Sequence, residues 1–166
     1  MNRVYIGLGS NVGDRLSYLT RALVELEDVC DILTLSSVYE TEPVGISTTH
    51  LFLNMAIAAE TAFDPPELLK QLKEIEEKLG RKHTKKKADR EIDLDILLYE
   101  GMIYRNSMVT IPHPEMDRRR FVLVPLAEIA PEIIHPVRGV SFLALLQSCP
   151  DTGKVIRTDY QLSVPH

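Results

Sequence analysis

Two aspartates one residue apart, Asp93 and Asp95, are the residues of this chain best placed to do chemistry. They lie in residues 90–99, where polar and apolar residues alternate as in a half-buried strand. Both carboxylates should therefore share one face. The opposite face is predicted to carry Ile92, Leu94, Ile96 and Leu98. Paired carboxylates repel and are hard to desolvate, so they usually come with a cation, and Mg²⁺ suits such ligands. A solvent-facing edge strand is an equally weighted alternative.

Basic residues are concentrated near this strand, although the chain is acidic, with a formal net charge of −5. Six of the 19 Lys and Arg residues are Arg81, Lys82, Lys85, Lys86, Lys87 and Arg90, and a second cluster spans residues 118–120. Because the first cluster ends just before Asp93, its charge should lie beside the predicted metal site and could neutralise a phosphate. Arginine suits this role better than lysine, since its planar fork donates bidentately. A solvated surface loop is the alternative.

Three further features are weaker candidates for a binding site. Residues 7–13 resemble a phosphate loop in composition, but they lack the Lys-Ser/Thr of the Walker motif, and a glycine turn needs no ligand. His113 lies in stiff backbone between two prolines and could donate to a phosphate, although a lone histidine is more often structural. Arg119 could contact an anion, and Phe52 and Phe121 could pack on a planar ligand or in the core.

The composition predicts one globular domain over residues 1–166. The chain is 45% hydrophobic and 26% charged, and its length allows a sizeable core. No long apolar stretch suggests a signal peptide or a membrane span, so we expect a cytoplasmic protein. The acidic net charge argues against a surface that binds nucleic acid. Cys30 and Cys149 are expected to be thiols without a role.

The elements that position these residues follow from periodicity. Strands are predicted over residues 3–8, 34–39, 51–60 and 102–104 and around Asp93–Asp95. Helices should begin at Asp14 and Asp64, the second ending at Gly80, and short helices are predicted for 121–129 and 141–147. The β-α-β-β-α-β order predicts an α+β sandwich of the ferredoxin-like type, with an antiparallel or mixed sheet and appended C-terminal helices.

Several runs resemble the 6-hydroxymethyl-7,8-dihydropterin pyrophosphokinase family of the folate pathway. The signature-like runs are residues 90–97 and 111–131, and similar runs lie at 6–15, 37–45 and 52–54. The resemblance therefore spans nearly the whole chain, in the same order. It implies transfer of pyrophosphate from ATP to the pterin hydroxymethyl group, by attack on the β-phosphorus, giving AMP and the pterin diphosphate.

The resemblance also implies the roles of individual residues. Asp93 and Asp95 would hold two Mg²⁺ ions, and Arg81 and Arg90 match the loop arginines that close over the phosphates. The ATP site would comprise Lys73, Glu76, Arg81, Arg90, Ile96, Val109, Thr110, His113 and Arg119. The pterin site would comprise Thr41, Glu42, Val44, Phe52, Asn54 and Phe121, with the two phenylalanines sandwiching the ring.

One segment departs from the family. Many members read Arg-Trp-Gly-Pro-Arg before the aspartates, whereas residues 86–90 here read Lys-Lys-Ala-Asp-Arg. The loop is therefore expected to close differently and to cover the pterin less completely.

Two alternative functions match the sequence pattern less well. An RNA-binding module of this fold would carry aromatics where the carboxylates lie, and an inactive relative would not need to retain Asp93, Asp95, Arg81, Arg90 and His113. We expect a monomer that binds small molecules, and neither nucleic acid nor a membrane.

Overall fold

The computed structural model describes residues 1–44, 49–81 and 89–165. Lys82, Lys85, Lys86 and Lys87 of the basic cluster, and with them most of the segment that departs from the family, lie outside the described residues. The strands are β1 (Asn2–Ser10), β2 (Asp31–Leu35), β3 (Tyr39–Thr41), β4 (Phe52–Thr61), β5 (Asp93–Tyr99), β6 (Tyr104–Arg105), β7 (Thr110–Ile111) and β8 (Val155–Arg157). The helices are α1 (Arg15–Leu26), α2 (Pro65–Lys78), α3 (Arg120–Ile129) and α4 (Phe142–Gln147), with a 3-10 turn at Met116–Arg118.

One six-stranded sheet organises the chain. Its strands follow the order β5-β1-β4-β3-β8, β2 also pairs with β4, and each of these pairs is antiparallel. Residues of α1 and α2 form a core on one face, whereas α3 and α4 cover the other face. β6 and β7 form a separate ribbon. The predicted α+β class is confirmed. Among the described residues, no helix has the length and apolar character to cross a membrane.

Both predicted helix starts are confirmed. Asp14 accepts a hydrogen bond from Ser17 N at 3.1 Å, and Asp64 accepts one from Glu67 N at 2.9 Å. Each bond satisfies an amide that the first turn of a helix leaves without a partner in the helix. The second helix stops just before Gly80, whose φ of 99° suits glycine.

The strand prediction for residues 34–39 is wrong. The chain forms β2 and β3 instead, which pair with different parts of β4. Between them Ser36 N donates to Ala56 O at 2.9 Å, and Ser36 Oγ accepts from Ala56 N at 2.9 Å. In a continuous strand, a backbone carbonyl would accept from the amide of Ala56. Here the Ser36 hydroxyl accepts from that amide instead. The short edge strand β8 was not predicted.

A β-bulge in β5 changes which face its last residues occupy. Tyr5 pairs with Leu98 and Ile6 pairs with Ile96, so Leu97 is an extra residue. Such an insertion reverses the alternation of side chains beyond it. The predicted face is confirmed for Ile92, Leu94 and Ile96, which pack in the α1–α2 core. It is wrong for Leu98, which packs in the α3–α4 core.

Glu128 ties α3 to the start of β3. Its Oε1 accepts from Ser37 N at 2.9 Å and from Tyr39 Oη at 2.7 Å, and its Oε2 accepts from Ser37 Oγ at 2.8 Å. Partial burial would raise the pKa of Glu128, but these hydrogen bonds outweigh it and lower the pKa. Burial and the bond to Glu128 raise the pKa of Tyr39 to about 12.

We expect Glu128→Gln to lower the free energy of unfolding at neutral pH by about 1 kcal/mol, because charge-assisted bonds to a partly exposed group are lost. The folded-state pKa lies below the unfolded one. The contribution of the Glu128 carboxylate to stability is therefore present above the pKa that Glu128 has in the unfolded chain. It is lost as the pH falls through the pKa that Glu128 has in the folded protein. Urea titrations at neutral pH and at a pH below the unfolded pKa should show the difference from wild type at the first and a smaller difference at the second. The exposed Glu132→Gln is the control. An equal difference at both pH values would contradict this account.

Candidate active site

An open cleft lies on the α3 side of the sheet, over the ends of β1, β4 and β5. Its floor includes the small residues Gly7, Gly9 and Ala56, and its wall includes Phe121 and Pro125 of α3. A Cβ at Gly9 would lie 2.5 Å from Asn54 Oδ1, so only glycine leaves room for that amide. Sequence reasoning considered residues 7–13 only as a weak phosphate-loop candidate and did not place Gly7 and Gly9 in this site. Their spacing at the end of a strand was the available signal.

Asp93 and Asp95 both line this cleft, at its β5 edge. The prediction that the two carboxylates share one face is therefore confirmed. Asp93 is paired with both predicted arginines, since Arg81 Nη1 lies 2.8 Å from its Oδ1 and Arg90 Nη1 lies 3.1 Å from its Oδ2. The fold thus brings Arg81, from the end of α2, to the aspartates and Arg90 at the start of β5.

Glu76 has a different position from these residues, because it lies beneath the start of β5. It is 3% exposed, and its Oε2 accepts from Leu94 N at 2.7 Å and from Arg81 Nη1 at 2.7 Å. A buried carboxylate needs such donors to remain charged. Glu76 therefore orients Arg81 and the first residues of β5, and it is not among the residues that line the cleft.

The side chain of Asp95 makes no hydrogen bond with any residue that the structure describes. Burial raises its pKa well above the usual range, and the carboxylates of Asp93 and Glu76 raise it further. Arg90 and Arg81 oppose this shift without cancelling it. This part of the site therefore has a shortage of positive charge, which an added cation would relieve.

His113 is held beside the bulge in β5. Its backbone N donates to Leu97 O at 3.0 Å, and its Nδ1 accepts from Glu115 N at 3.2 Å. Because Nδ1 is an acceptor, the proton of the neutral ring lies on Nε2. Burial lowers the pKa of His113, and the nearby Arg119 lowers it further. His113 is thus a neutral imidazole with an Nε2–H to donate.

We expect the His113 ring to titrate below its ordinary value of about 6.5, in the Nε2–H tautomer, because burial and Arg119 disfavour the charged form. The pKa of His113 is thus lower in the folded protein than in the unfolded chain. Stability is therefore lost as the pH falls from the unfolded value towards the folded one. Proton–nitrogen correlation spectra recorded against pH would measure both properties. Arg119→Gln should raise the midpoint, and a wild-type midpoint at or above about 6.5 would contradict the assignment.

Of the two predicted stacking residues, one lines the cleft and the other lies beside its floor. Phe121 lines the cleft, and Phe52 Cδ1 lies 3.6 Å from where a Cβ at Gly9 would be. Arg119 forms an ion pair with Glu115, and its guanidinium carbon lies 5.8 Å from the centroid of the Phe121 ring. The aromatic end of the cleft therefore lies next to a cation.

The residues predicted to make polar contacts with the pterin differ in their burial. Asn54 is 8% exposed, and its Nδ2 donates to Thr41 Oγ1 at 2.6 Å. Thr41 is buried at the end of β3, whereas Glu42 and Val44 are exposed and immediately precede a segment outside the described residues. Asn54 and Thr41 thus form a fixed pair, with Oδ1 of the amide facing Gly9.

None of the predicted nucleotide residues is among those that line the described cleft, although Arg81 and Arg90 reach its edge through Asp93. Lys73 is exposed on α2, and Ile96 is 3% exposed in the core on the opposite face of the sheet. Val109 and Thr110 are half-buried at the β6–β7 ribbon, and β7 packs against β5. Lys73 and Ile96 therefore belong to α2 and β5, and Val109 and Thr110 lie at the ribbon whose strand β7 packs beside β5.

Comparison with known proteins gives one consistent answer. The family model for 7,8-dihydro-6-hydroxymethylpterin-pyrophosphokinase matches residues 5–131. The chain is similar to 2-amino-4-hydroxy-6-hydroxymethyldihydropteridine pyrophosphokinase of Aquifex aeolicus, with 44% identity over 82% of this chain and 86% of that protein. The same enzyme of Bacillus subtilis is 42% identical over 80% of each chain.

Longer proteins also match. The chain is 37% identical to the folic acid synthesis protein FOL1 of Dictyostelium discoideum over 93% of its own length, but it spans only 23% of that protein. It resembles a crystal structure of HPPK-DHPS in complex with substrates, with a TM-score of 0.76 and 17% identity. This match covers 89% of the chain and 43% of the solved one, so it shows a shared fold in part of a longer protein.

Proposed function

Because the chain belongs to the 7,8-dihydro-6-hydroxymethylpterin-pyrophosphokinase family, we propose that it transfers pyrophosphate from ATP to 6-hydroxymethyl-7,8-dihydropterin. It is a pyrophosphokinase of folate biosynthesis that acts on hydroxymethyldihydropterin. The products would be AMP and the pterin diphosphate. One observation supports the proposed mechanism above the others. Asp93 and Asp95 share a cleft with Phe121, and Asp93 is bound by Arg81 and Arg90.

We propose that Asp93 and Asp95 hold two Mg²⁺ ions. The donor set fits, because carboxylate oxygens are the ligands that Mg²⁺ prefers and the site is short of positive charge around Asp95. The ions would supply charge stabilisation for the phosphates and the attacking oxygen. Glu76 supports this role from below, since its bond to Leu94 N fixes the strand between the two aspartates.

Arg81, Arg90, His113 and Arg119 are proposed to contact the phosphates. A guanidinium has five N–H donors, so Arg90 can bind a phosphate oxygen while it keeps its bond to Asp93. His113 would donate from Nε2 without adding charge. Lys73, Glu76, Ile96, Val109 and Thr110 are proposed as residues near the nucleotide because of the family resemblance. Glu76 would act through Arg81 rather than by contact.

Phe52 and Phe121 are proposed to stack on the pterin ring. Flat rings favour such offset contacts, Phe121 lines the cleft, and Phe52 lies beside Gly9 of its floor. Asn54 Oδ1 would accept from the polar edge of the pterin, while Thr41 holds the amide in its orientation. Glu42 and the backbone at Val44 would complete the set. Buried polar partners of this kind discriminate strongly against ligands that cannot pair with them.

The transfer needs little covalent chemistry from the protein. The hydroxymethyl oxygen would attack the β-phosphorus, and the bond from that phosphorus to the α,β-bridging oxygen would break as AMP leaves. The protein's contribution is to hold the hydroxyl and the phosphate in line and to offset the developing charge. Phe121 in the cleft and the two arginines bound to Asp93 at its edge would serve that task.

We further propose that residues 1–166 form one ferredoxin-like domain that acts as a cytoplasmic monomer on small molecules, without nucleic acid or membrane. The order β5-β1-β4-β2 in the sheet, with α1 and α2 on one face, supports the ferredoxin-like assignment. The acidic net charge of −5 supports the absence of nucleic acid.

The nucleotide product tests the proposal. The protein is incubated with ATP, Mg²⁺ and 6-hydroxymethyl-7,8-dihydropterin, and the nucleotides are separated by chromatography. We expect AMP in an amount equal to the pterin diphosphate, and none when the pterin is left out. ADP in place of AMP would identify a simple kinase. The absence of both nucleotides would refute the enzymatic assignment.

A further inference from the structure

Asn11 is a buried polar residue that the roles above leave unused. It directly follows β1 and is only 3% exposed. Its Oδ1 accepts from Arg90 N at 2.8 Å, and its Nδ2 donates to Asp89 Oδ1 at 2.9 Å and to His50 O at 3.4 Å. Its backbone N donates to Arg90 O at 3.2 Å. One residue therefore binds both polar groups of the Arg90 main chain.

The position of the Arg90 main chain matters because its guanidinium binds Asp93, which lines the cleft. Arg90 Nη1 lies 3.1 Å from Asp93 Oδ2. Several rotatable bonds separate the guanidinium of an arginine from its backbone. If the backbone also moves, the guanidinium occupies many positions. A displacement of about 1 Å at such a group can slow a reaction a hundredfold.

We propose that Asn11 is a positioning residue for the reaction, which fixes the main chain of Arg90 so that its guanidinium stays beside Asp93. This inference rests on the proposed function, since Asn11 has its role only through an arginine that acts on ATP. The described hydrogen bonds of Asn11 all connect the end of β1 to the segments at residues 50 and 89–90.

The chemistry of these contacts specifies an asparagine. An amide presents an acceptor and a donor on one planar group, and Asn11 uses both. Aspartate at position 11 has the same size and keeps the acceptor for Arg90 N. However, it places a second carboxylate at the 2.9 Å contact with Asp89. The repulsion should displace residues 89–90 without creating a cavity.

A swapped pair provides the matched control. In Asn11→Asp/Asp89→Asn, the new amide at position 89 can donate to the new carboxylate at position 11. The formal charge of the chain is unchanged, and the acceptor for Arg90 N remains. If Asn11 acts through this contact, the swap should restore most of what the single substitution removes.

The test measures kcat, KM for each substrate and urea unfolding of the full chain. Asn11→Asp should lower kcat by about 10- to 100-fold, with KM for the pterin changed by less than about twofold. The swapped pair should recover kcat to within about tenfold of wild type. In an Arg90→Ala background, Asn11→Asp should change kcat by less than about twofold, because the group that it positions is already gone.

Each outcome decides the matter. An equal effect of Asn11→Asp with and without Arg90 would overturn the inference but leave the proposed function standing. Unchanged turnover in Arg90→Ala alone would refute the proposed role of Arg90, and with it the inference that Asn11 acts through Arg90. This single variant therefore distinguishes a failure of the role proposed for Arg90 from a failure of the inference alone. If Asn11→Asp does not fold, the swapped pair is decisive: a folded swap that has lost more than about tenfold in kcat overturns the inference.

Discussion

Asp95→Asn is expected to lower turnover on the order of a thousandfold while leaving the fold intact and its unfolding temperature unchanged or higher. Turnover falls because an amide is a poor ligand for the Mg²⁺ that the carboxylate pair is proposed to hold. Stability does not fall, because the charged form of Asp95 is disfavoured in the folded protein. Burial and the neighbouring Asp93 and Glu76 raise its pKa, so the substitution removes an unfavourable charge.

The control for this substitution is Asp159→Asn. Asp159 is exposed near the C-terminal end of the described chain, and the change in charge is the same. It should leave both turnover and the unfolding temperature as in wild type. Turnover of Asp95→Asn close to that of Asp159→Asn would remove Asp95 from the active site. A large drop in its unfolding temperature would contradict the electrostatic argument.

Arg81→Met should lower the free energy of unfolding by about 3 kcal/mol, because it leaves two carboxylates without their shared partner. Arg81 Nη1 lies 2.7 Å from Glu76 Oε2 and 2.8 Å from Asp93 Oδ1, and the Glu76 side chain is only 5% exposed. Removal of one partner of a buried pair costs more than the pair contributes, since each remaining carboxylate loses part of its compensation. Chemical denaturation of both proteins measures the difference. Turnover should fall as well, since Arg81 is proposed to contact the phosphates.

A double substitution separates the structural effect from the catalytic one. In Arg81→Met/Glu76→Gln, the new amide can still accept from Leu94 N but no longer carries a charge. Stability should return to within about 1 kcal/mol of wild type, while turnover stays low. Lys78→Met is the control, because it breaks the exposed Lys78–Glu25 pair and should change stability by less than about 0.5 kcal/mol. A double variant no more stable than Arg81→Met would show that the charge on Glu76 is not the cause.

Local patterns predicted the parts of the site that depend on local structure. The shared face of Asp93 and Asp95 followed from alternation, since the other face of the strand packs in the α1–α2 core. The helix starts at Asp14 and Asp64 followed from capping residues. In each case the interactions that decide the outcome lie within a few residues.

The errors have causes that lie far away in the sequence. Leu98 was placed on the wrong face because the bulge in β5 arises from pairing with β1, where Tyr5 packs edge-on against Phe142 at 6.0 Å. The break between β2 and β3 depends on Ser36, which binds β4. Such pairings are set by tertiary contacts that periodicity does not report.

The buried polar residues of the site were equally inaccessible to sequence reasoning. Asn11 and Arg90 are 79 positions apart, so nothing in the local sequence links the amide to the basic cluster. Glu76 was assigned to the nucleotide, and only its contacts with Leu94 N and Arg81 show that it supports the site from below. The family resemblance supplied the roles of Phe52 and Asn54, which composition alone would have left in the core.

The most direct test of the account counts metal ions at Asp93 and Asp95. Mn²⁺ can replace Mg²⁺ and is followed by electron paramagnetic resonance, in the presence of an ATP analogue in which a methylene group replaces the α,β-bridging oxygen, so that no pyrophosphate is transferred. We predict two Mn²⁺ ions bound per wild-type chain and at most one ion bound with comparable affinity in Asp95→Asn. Two ions bound equally tightly by the variant would contradict the central claim that the aspartate pair forms the metal site.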